Sequence, residues 1–173
     1  MVHHHRSLLL HPRMADTVQC IDVFGKLHQT LRTELQWRPA AYGIVIKDRQ
    51  VLLLRQFGGE YDLPGGGVNI GEDPKTAAIR EIKEESGIEA ENPVLLGVES
   101  SLFRASHSDN KSYHSLLLYY SCSYVSGHIS VSSLDETESR YIDTAEWVDL
   151  KLIDSIKISS TVDSRPYIKQ ASC

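Results

Sequence analysis

The stretch LPGGGVNIGEDPKTAAIREIKEESGI, residues 63–88, decides the fold. It opens with Gly65, Gly66 and Gly67, then sets four Glu and one Asp between Glu72 and Glu85. Asp73 is a good N-cap, and Pro74 suits the first helical turn, where its missing N–H costs nothing. Gly87 is a natural C-terminal stop. The spacing predicts a helix over 74–86. At the helical period Ala78, Ile79 and Ile82 form an apolar stripe that faces a core. Glu81, Glu84 and Glu85 fall at i, i+3 and i+4 and share another face, with small Ala77 beside them.

A solvated helix face usually alternates in sign. Glu–Lys pairs at this spacing help, and Glu–Glu pairs cost about a few tenths of a kcal/mol. Arg80 can pair with Glu84 in that ordinary way, but no Lys lies on the face of the three Glu. A hard divalent cation, which takes oxygen ligands, would turn their repulsion into binding. An acidic surface patch is the plainer alternative.

The full spacing adds more. Gly66 is followed by five residues and Glu72, then by seven residues and Arg80-Glu81-Ile82, Lys83, Glu84-Glu85, Ser86 and Gly87-Ile88. This run of 23 residues resembles the Nudix hydrolase box at every defined position. The resemblance implies an α+β fold, an α/β/α sandwich around a mixed sheet. It also implies metal-dependent hydrolysis of a diphosphate linkage in a small nucleotide derivative: a nucleoside diphosphate linked to X gives a nucleoside monophosphate and phospho-X. A nucleoside triphosphate pyrophosphatase of house-cleaning type and a ligand-sensing module without hydrolysis are the alternatives.

Site roles follow from the same resemblance. Glu84 and Glu85 match the principal metal ligands, and Glu81 a third ligand or a carboxylate that orients water. Mg²⁺ is the implied cofactor, with Mn²⁺ as a substitute. Arg80 and Glu72 match a pair that braces loop and helix. The backbone of Gly66 is expected to face the metal, since glycine permits close approach. Gly65, Gly66, Arg55 and Tyr61 are expected substrate contacts, although three glycines alone also read as a flexible turn. The acidic run DETES (135–139) offers a further catalytic carboxylate, Glu138 first and Glu136 next; a solvated loop charge is the alternative for each. Asn69 replaces a Glu that many members carry. Arg104 stands where the ADP-ribose group often has Pro, and Ala105 and Ser106 lack the Tyr of some dinucleoside polyphosphate hydrolases, which weakens both assignments.

The remaining chain sets bounds. Its 173 residues, 41% hydrophobic and 24% charged, suit one globular domain over 18–173 behind a flexible tail, 1–17. A net charge of −5 argues against sequence-independent binding to a nucleic-acid polymer. The expected partner is a small nucleotide-type molecule, with a homodimer as an option. Leu8, Leu9 and Leu10 are too short an apolar run for a membrane span or signal peptide. Cys20, Cys122 and Cys173 are scattered and lack C-x-x-C spacing, which suggests a reducing, cytoplasmic setting and no zinc site. Strands are expected over 40–48 and 50–57 with a turn at Asp48-Arg49, then over 93–103, 113–125 and 146–150. Residues 23–32 read as strand or helix, 133–145 as an acidic loop, and 151–159 as helical. Phe57, Phe103, Tyr113 and Tyr119 are candidates for base stacking, with core packing as the alternative. His107 and His114 flank a polar loop and are candidates for phosphate or base contacts, with plain exposure as the alternative.

Overall fold

The computed structural model describes residues 16–22, 25–105, 111–136, 138–158 and 161–173. His107 and most of the N-terminal tail lie outside them. Among the described residues nine strands form one mixed sheet. They are β1 (Thr17–Ile21), β2 (Leu27–Leu31), β3 (Leu35–Lys47), β4 (Gln50–Gln56), β5 (Tyr61–Asp62), β6 (Gly65–Gly67), β7 (Ile88–Arg104), β8 (Ser112–Gly127) and β9 (Ile142–Asp149). The helices α1 (Pro74–Ser86) and α2 (Arg165–Ala171) cover it. The order is β2-β1-β7-β8-β3-β4-β5, with β6 on β3 and β9 on β4.

Strand β3 organises the layers. It runs parallel to β8 from Leu35↔Ser112 to Val45↔Cys122. Its other edge forks: Ala40, Ala41 and Tyr42 pair with β6, whereas Ile46 and Lys47 pair with β4. Alternate side chains of a strand point to opposite faces. Ala41 and Val45 therefore pack with Ala78 and Ile82 of α1, while Ala40 and Ile44 pack with Ile168 of α2. Both faces are covered, which is the expected α/β/α arrangement. Gly43 lets α1 come close, because the Ile82 side chain occupies the place of a β-carbon there. Full burial of a side chain such as Ile82 contributes about 1.5–3 kcal/mol.

Local signals account for α1. The Asp73 Oδ1 atom accepts a bond of 2.8 Å from the Lys75 N–H, and Gly87 closes the helix at φ 73°. Helix bounds match the expected 74–86. The β3–β4 turn places Asp48 at φ 49° and Arg49 at φ 64°, the left-handed pair that a two-residue hairpin needs.

Elsewhere the chain departs from expectation. β1 begins at Thr17, the last residue of the segment read as tail. In the ambiguous stretch 23–32, residues Leu27–Leu31 form β2. β7 starts at Ile88, five residues before the expected strand. The acidic stretch 133–145 holds a 3-10 turn, Glu138–Arg140, and the start of β9. The stretch 151–159 was expected to be helical, but among its described residues, 151–158, no α-helix forms: a 3-10 turn, Leu150–Leu152, is followed by a turn that buries Ile153. The second helix lies further on, where Pro166 stands in the first turn.

Candidate active site

The glycine triplet is a strand rather than a free loop, and it lies along the acidic side of α1. The Gly65 N–H donates to Oε2 of Glu85 at 2.7 Å. A β-carbon at Gly66 would lie 2.6 Å from Oε1 of Glu81. Only glycine allows so close an approach.

Glu81 is 5% exposed and Glu85 3%. Each offers one carboxylate oxygen to a group completed by Glu138, and these atoms lie within 4.8 Å of one another. Glu138 arrives from the acidic loop, half-buried. Its backbone N–H donates to Oδ1 of Asp135 at 2.8 Å, and its Oε2 accepts from the Asp135 N–H at 3.0 Å. This reciprocal pair fixes the turn that presents it. Burial, and then the like charges of Glu81 and Glu138, push the Glu85 carboxyl well above the usual carboxylate range, against the pull of the Gly65 N–H. Burial also raises Glu81, although Arg80 opposes the shift. Two buried carboxylates that resist ionisation together are a strain that a bound cation would relieve.

Glu84 is placed differently. It shares the helical face by spacing, yet its side chain is 46% exposed and Oε2 accepts from Arg80 at 2.9 Å. Arg80 is the hub of the brace. It holds both oxygens of Glu72, at 2.8 and 3.1 Å, Oε1 of Glu81 at 2.8 Å and the Gly67 carbonyl at 3.2 Å. The Glu72 carboxyl is held down to about 2, chiefly by Arg80 and then by the Asn69 N–H. Asn69 thus serves the brace through its backbone, at 2.9 Å from Glu72.

Arg55 and Tyr61 stand opposite each other on β4 and β5. Arg55 pairs with Asp143 at 2.6 Å and Glu146 at 4.0 Å, and the Tyr61 hydroxyl donates to Glu146 at 2.6 Å. Both are engaged within the sheet. Of the aromatic candidates, Phe57 is exposed on a turn, whereas Tyr119 is buried between the rings of Tyr42 and Tyr167. Phe103 and Tyr113 are half-buried on neighbouring strands. His114 meets Ser100 at 3.0 Å and the edge of Trp37. Tyr141, not singled out in the sequence, is 39% exposed, yet partial burial and then the charges of Glu85 and Glu138 raise its phenol above the usual range. No sequence signal marks it, because its place depends on how the loop folds back.

Among the described residues no helix is long and apolar enough to cross a membrane. Cys20 and Cys122 are buried and free, and Cys173 is exposed and free.

A model of the NUDIX domain matches residues 37–170. An ADP-ribose pyrophosphatase of Methanocaldococcus jannaschii is 46% identical over 66 residues, 36% of this chain and 39% of that protein. The NAD-capped RNA hydrolase NudC of Pseudomonas aeruginosa is 29% identical over 155 residues, 88% of this chain and 47% of that protein. The chain therefore spans less than half the length of these curated relatives. A solved NUDIX hydrolase from Nitrosomonas europaea superposes with a TM-score of 0.57 at 21% identity, over 79% of this chain and 86% of that one, which is a likeness of fold. Since the domain match runs through the helix, the glycine strand and the acidic loop alike, the chain belongs to the Nudix hydrolase family.

Proposed function

We infer that the protein hydrolyses the diphosphate linkage of a nucleoside diphosphate joined to a further group, with ADP-ribose as the first substrate to try. The observation that carries this reading is the meeting of Glu81, Glu85 and Glu138 within 4.8 Å. The ADP-ribose pyrophosphatase name of a relative 46% identical over the matched region supports the substrate class, although Arg104 stands where that group often has Pro.

The donor set suits a hard cation: all three groups are carboxylates, two are buried, and burial holds them short of charge balance. Glu81, Glu85 and Glu138 would hold Mg²⁺, or Mn²⁺ in its place, with Glu84 at the outer edge and the Gly66 backbone alongside. Such an ion supplies Lewis acidity, which offsets charge on phosphoryl oxygens and favours ionisation of water. Glu138, the most solvent-open of the three, receives the proton of the attacking water on a carboxylate oxygen. A P–O bond to that water forms as the bridging P–O bond breaks, and the second phosphate leaves as an anion. Arg80 keeps Glu81 turned toward the water's position. Gly65, through its N–H, keeps Glu85 aimed away from α1.

The reading extends to the surroundings. A small-molecule substrate, a reducing compartment and action on free metabolites are proposed from the buried free thiols and the acidic net charge. The test is a panel of ADP-ribose, other nucleotide sugars, dinucleotides and nucleoside triphosphates with Mg²⁺ and with chelator, both products being identified. Turnover of ADP-ribose to AMP and ribose phosphate, lost in chelator, is the expected result. Preferred release of pyrophosphate from triphosphates would replace the substrate class. Undiminished turnover in chelator would remove the metal.

A further inference from the structure

We propose that Phe57 is a positioning residue for Glu138, acting through its main-chain N–H and the carbonyl of Tyr141. This deepens the functional reading above and rests on it. Glu138 stands beside two buried carboxylates. Like charges repel it, so in the metal-free protein something other than a cation must keep its loop in place. The reciprocal bonds between Asp135 and Glu138 fix the shape of the turn but not where it sits. Its near end is tied to α1: Leu134 packs on the core that holds Ala78 and Ile82, and the Ser130 N–H donates to the Ser86 carbonyl at 2.9 Å. Its far end is tied to the β4–β5 turn. The Tyr141 N–H donates to the Glu138 carbonyl at 3.0 Å, and the Phe57 N–H donates to the Tyr141 carbonyl at 3.1 Å. Two consecutive backbone bonds thus run from Phe57 to the residue that carries the third carboxylate.

The turn is shaped to aim that N–H. Phe57 follows the last ladder pair, Gln56↔Ile142, just after the register of β4 and β9 shifts. The Gly59 N–H donates to the Gln56 carbonyl at 2.8 Å, which makes residues 56–59 a β-turn with Phe57 in its second position. The Gln56 N–H donates to the Glu60 carbonyl at 2.8 Å and closes the turn from the other side. A β-carbon at Gly59 would meet nothing within 4 Å, so glycine there answers to its φ of 80° rather than to crowding. The Phe57 side chain is exposed and adds little packing, so backbone and ring can be tested apart. Proline suits the second position of a β-turn, and Gln56 before it is already extended in β4, as proline prefers of its neighbour. Phe57→Pro and Phe57→Ala both lose the ring, and only the first also loses the N–H.

The decisive experiment compares these two variants. With ADP-ribose and saturating Mg²⁺, Phe57→Pro should show a kcat about 10-fold or more below that of Phe57→Ala, within the range for a displaced catalytic group, and the same KM. Calorimetry with Mg²⁺ alone should show weaker binding by Phe57→Pro than by Phe57→Ala, since Glu138 belongs to that site. Equal kcat and equal Mg²⁺ affinity in the two variants would overturn the proposal, as would a difference confined to KM. If Phe57→Pro does not fold, the Phe57 amide resonance of the wild type decides, identified by labelling phenylalanine alone and by its absence in Phe57→Ala. It should shift when Mg²⁺ is added, and the shift should vanish in Glu138→Gln; no shift, or the same shift in Glu138→Gln, overturns the assignment. Wild-type kcat in Glu138→Gln would fail the functional reading of that carboxylate, and Phe57 with it. A kcat lost in Glu138→Gln but equal in Phe57→Pro and Phe57→Ala would fail Phe57 alone.

Discussion

A β-carbon on Gly66 would stand 2.6 Å from Oε1 of Glu81. The obstructing atom ends a side chain rather than belonging to the backbone, so the chain can still fold around it. Glu81 itself must turn, and it must do so against its bond to Arg80. Gly66→Ala is therefore expected to change the melting temperature little and to lower kcat by about 100-fold, the scale of a misplaced catalytic group. Paired melting curves and steady-state kinetics check this. A variant that melts far lower yet turns over normally would mean that the glycine serves packing alone.

Glu85 carries the opposite balance, stability held back by a charge. Its folded pKa is raised well above the ordinary 4.5 by burial. Above that ordinary value the unfolded chain loses the proton more readily than the folded one. Stability of the metal-free protein therefore falls as pH rises from 4.5 through the raised value. Glu85→Gln removes that loss and keeps an oxygen for the Gly65 N–H. In chelator at neutral pH the variant should melt higher than wild type, and the gain should disappear near pH 4. Its kcat should fall by about 100-fold or more. A lower melting point in chelator would show that the buried carboxylate is favourable as it stands.

Arg80 ties three carboxylates and a carbonyl into one brace. Lysine is a point charge without the planar fork, so Arg80→Lys cannot hold both Glu72 oxygens and Glu81 together. The Glu72 pKa, held at about 2, marks what the brace contributes. A depressed carboxylate pKa adds stability that is full above the ordinary 4.5 and is lost as pH falls toward 2. Wild type should lose stability steeply over that window, and Arg80→Lys should show a shallower acid slope. Urea midpoints at several pH values measure both. Parallel slopes would mean that Glu72 is bound by the Asn69 N–H alone.

How much of this was legible follows from which signals are local. Asp73, Pro74 and Gly87 mark α1 by backbone chemistry that neighbours do not alter, so its bounds could be read directly. Asp48-Arg49 marked a hairpin in the same way. The glycine triplet was not readable as a strand, because glycine has no strand preference and β6 exists only through its pairing with β3. The stretch 151–159 has apolar residues at helical intervals, yet Ile153 is buried through a 3-10 turn and the turn after it, while the shorter helix with Pro166 went unread. The site divides along the same line. Helical spacing groups Glu81, Glu84 and Glu85, but it does not say which side of that face meets β6. Glu84 falls outward to Arg80, and a loop residue more than fifty positions away takes the third place.

That third place can be tested residue by residue. Glu138 lies with Glu81 and Glu85, while Glu136, two positions earlier, is exposed with no part in the cluster. Asp135 stands between these cases, since its side chain accepts from the Glu138 N–H and its own N–H holds Glu138 Oε2. If Glu138 takes the proton of the attacking water, Glu138→Gln should lower kcat by about 100-fold or more while KM stays near wild type, the mark of an interaction made mainly in the transition state. Glu136→Gln should be silent in both constants. Asp135→Asn keeps the shape of the turn but weakens its charged bond, so kcat should fall by a smaller factor, about 3- to 10-fold for a bond worth about 1 kcal/mol. Steady-state kinetics on the three variants separate the roles. A rise in KM with kcat held for Glu138→Gln would make the loop a substrate cover. Wild-type behaviour in Glu138→Gln would return the task of orienting water to Glu81, whose carboxylate Arg80 already holds in place.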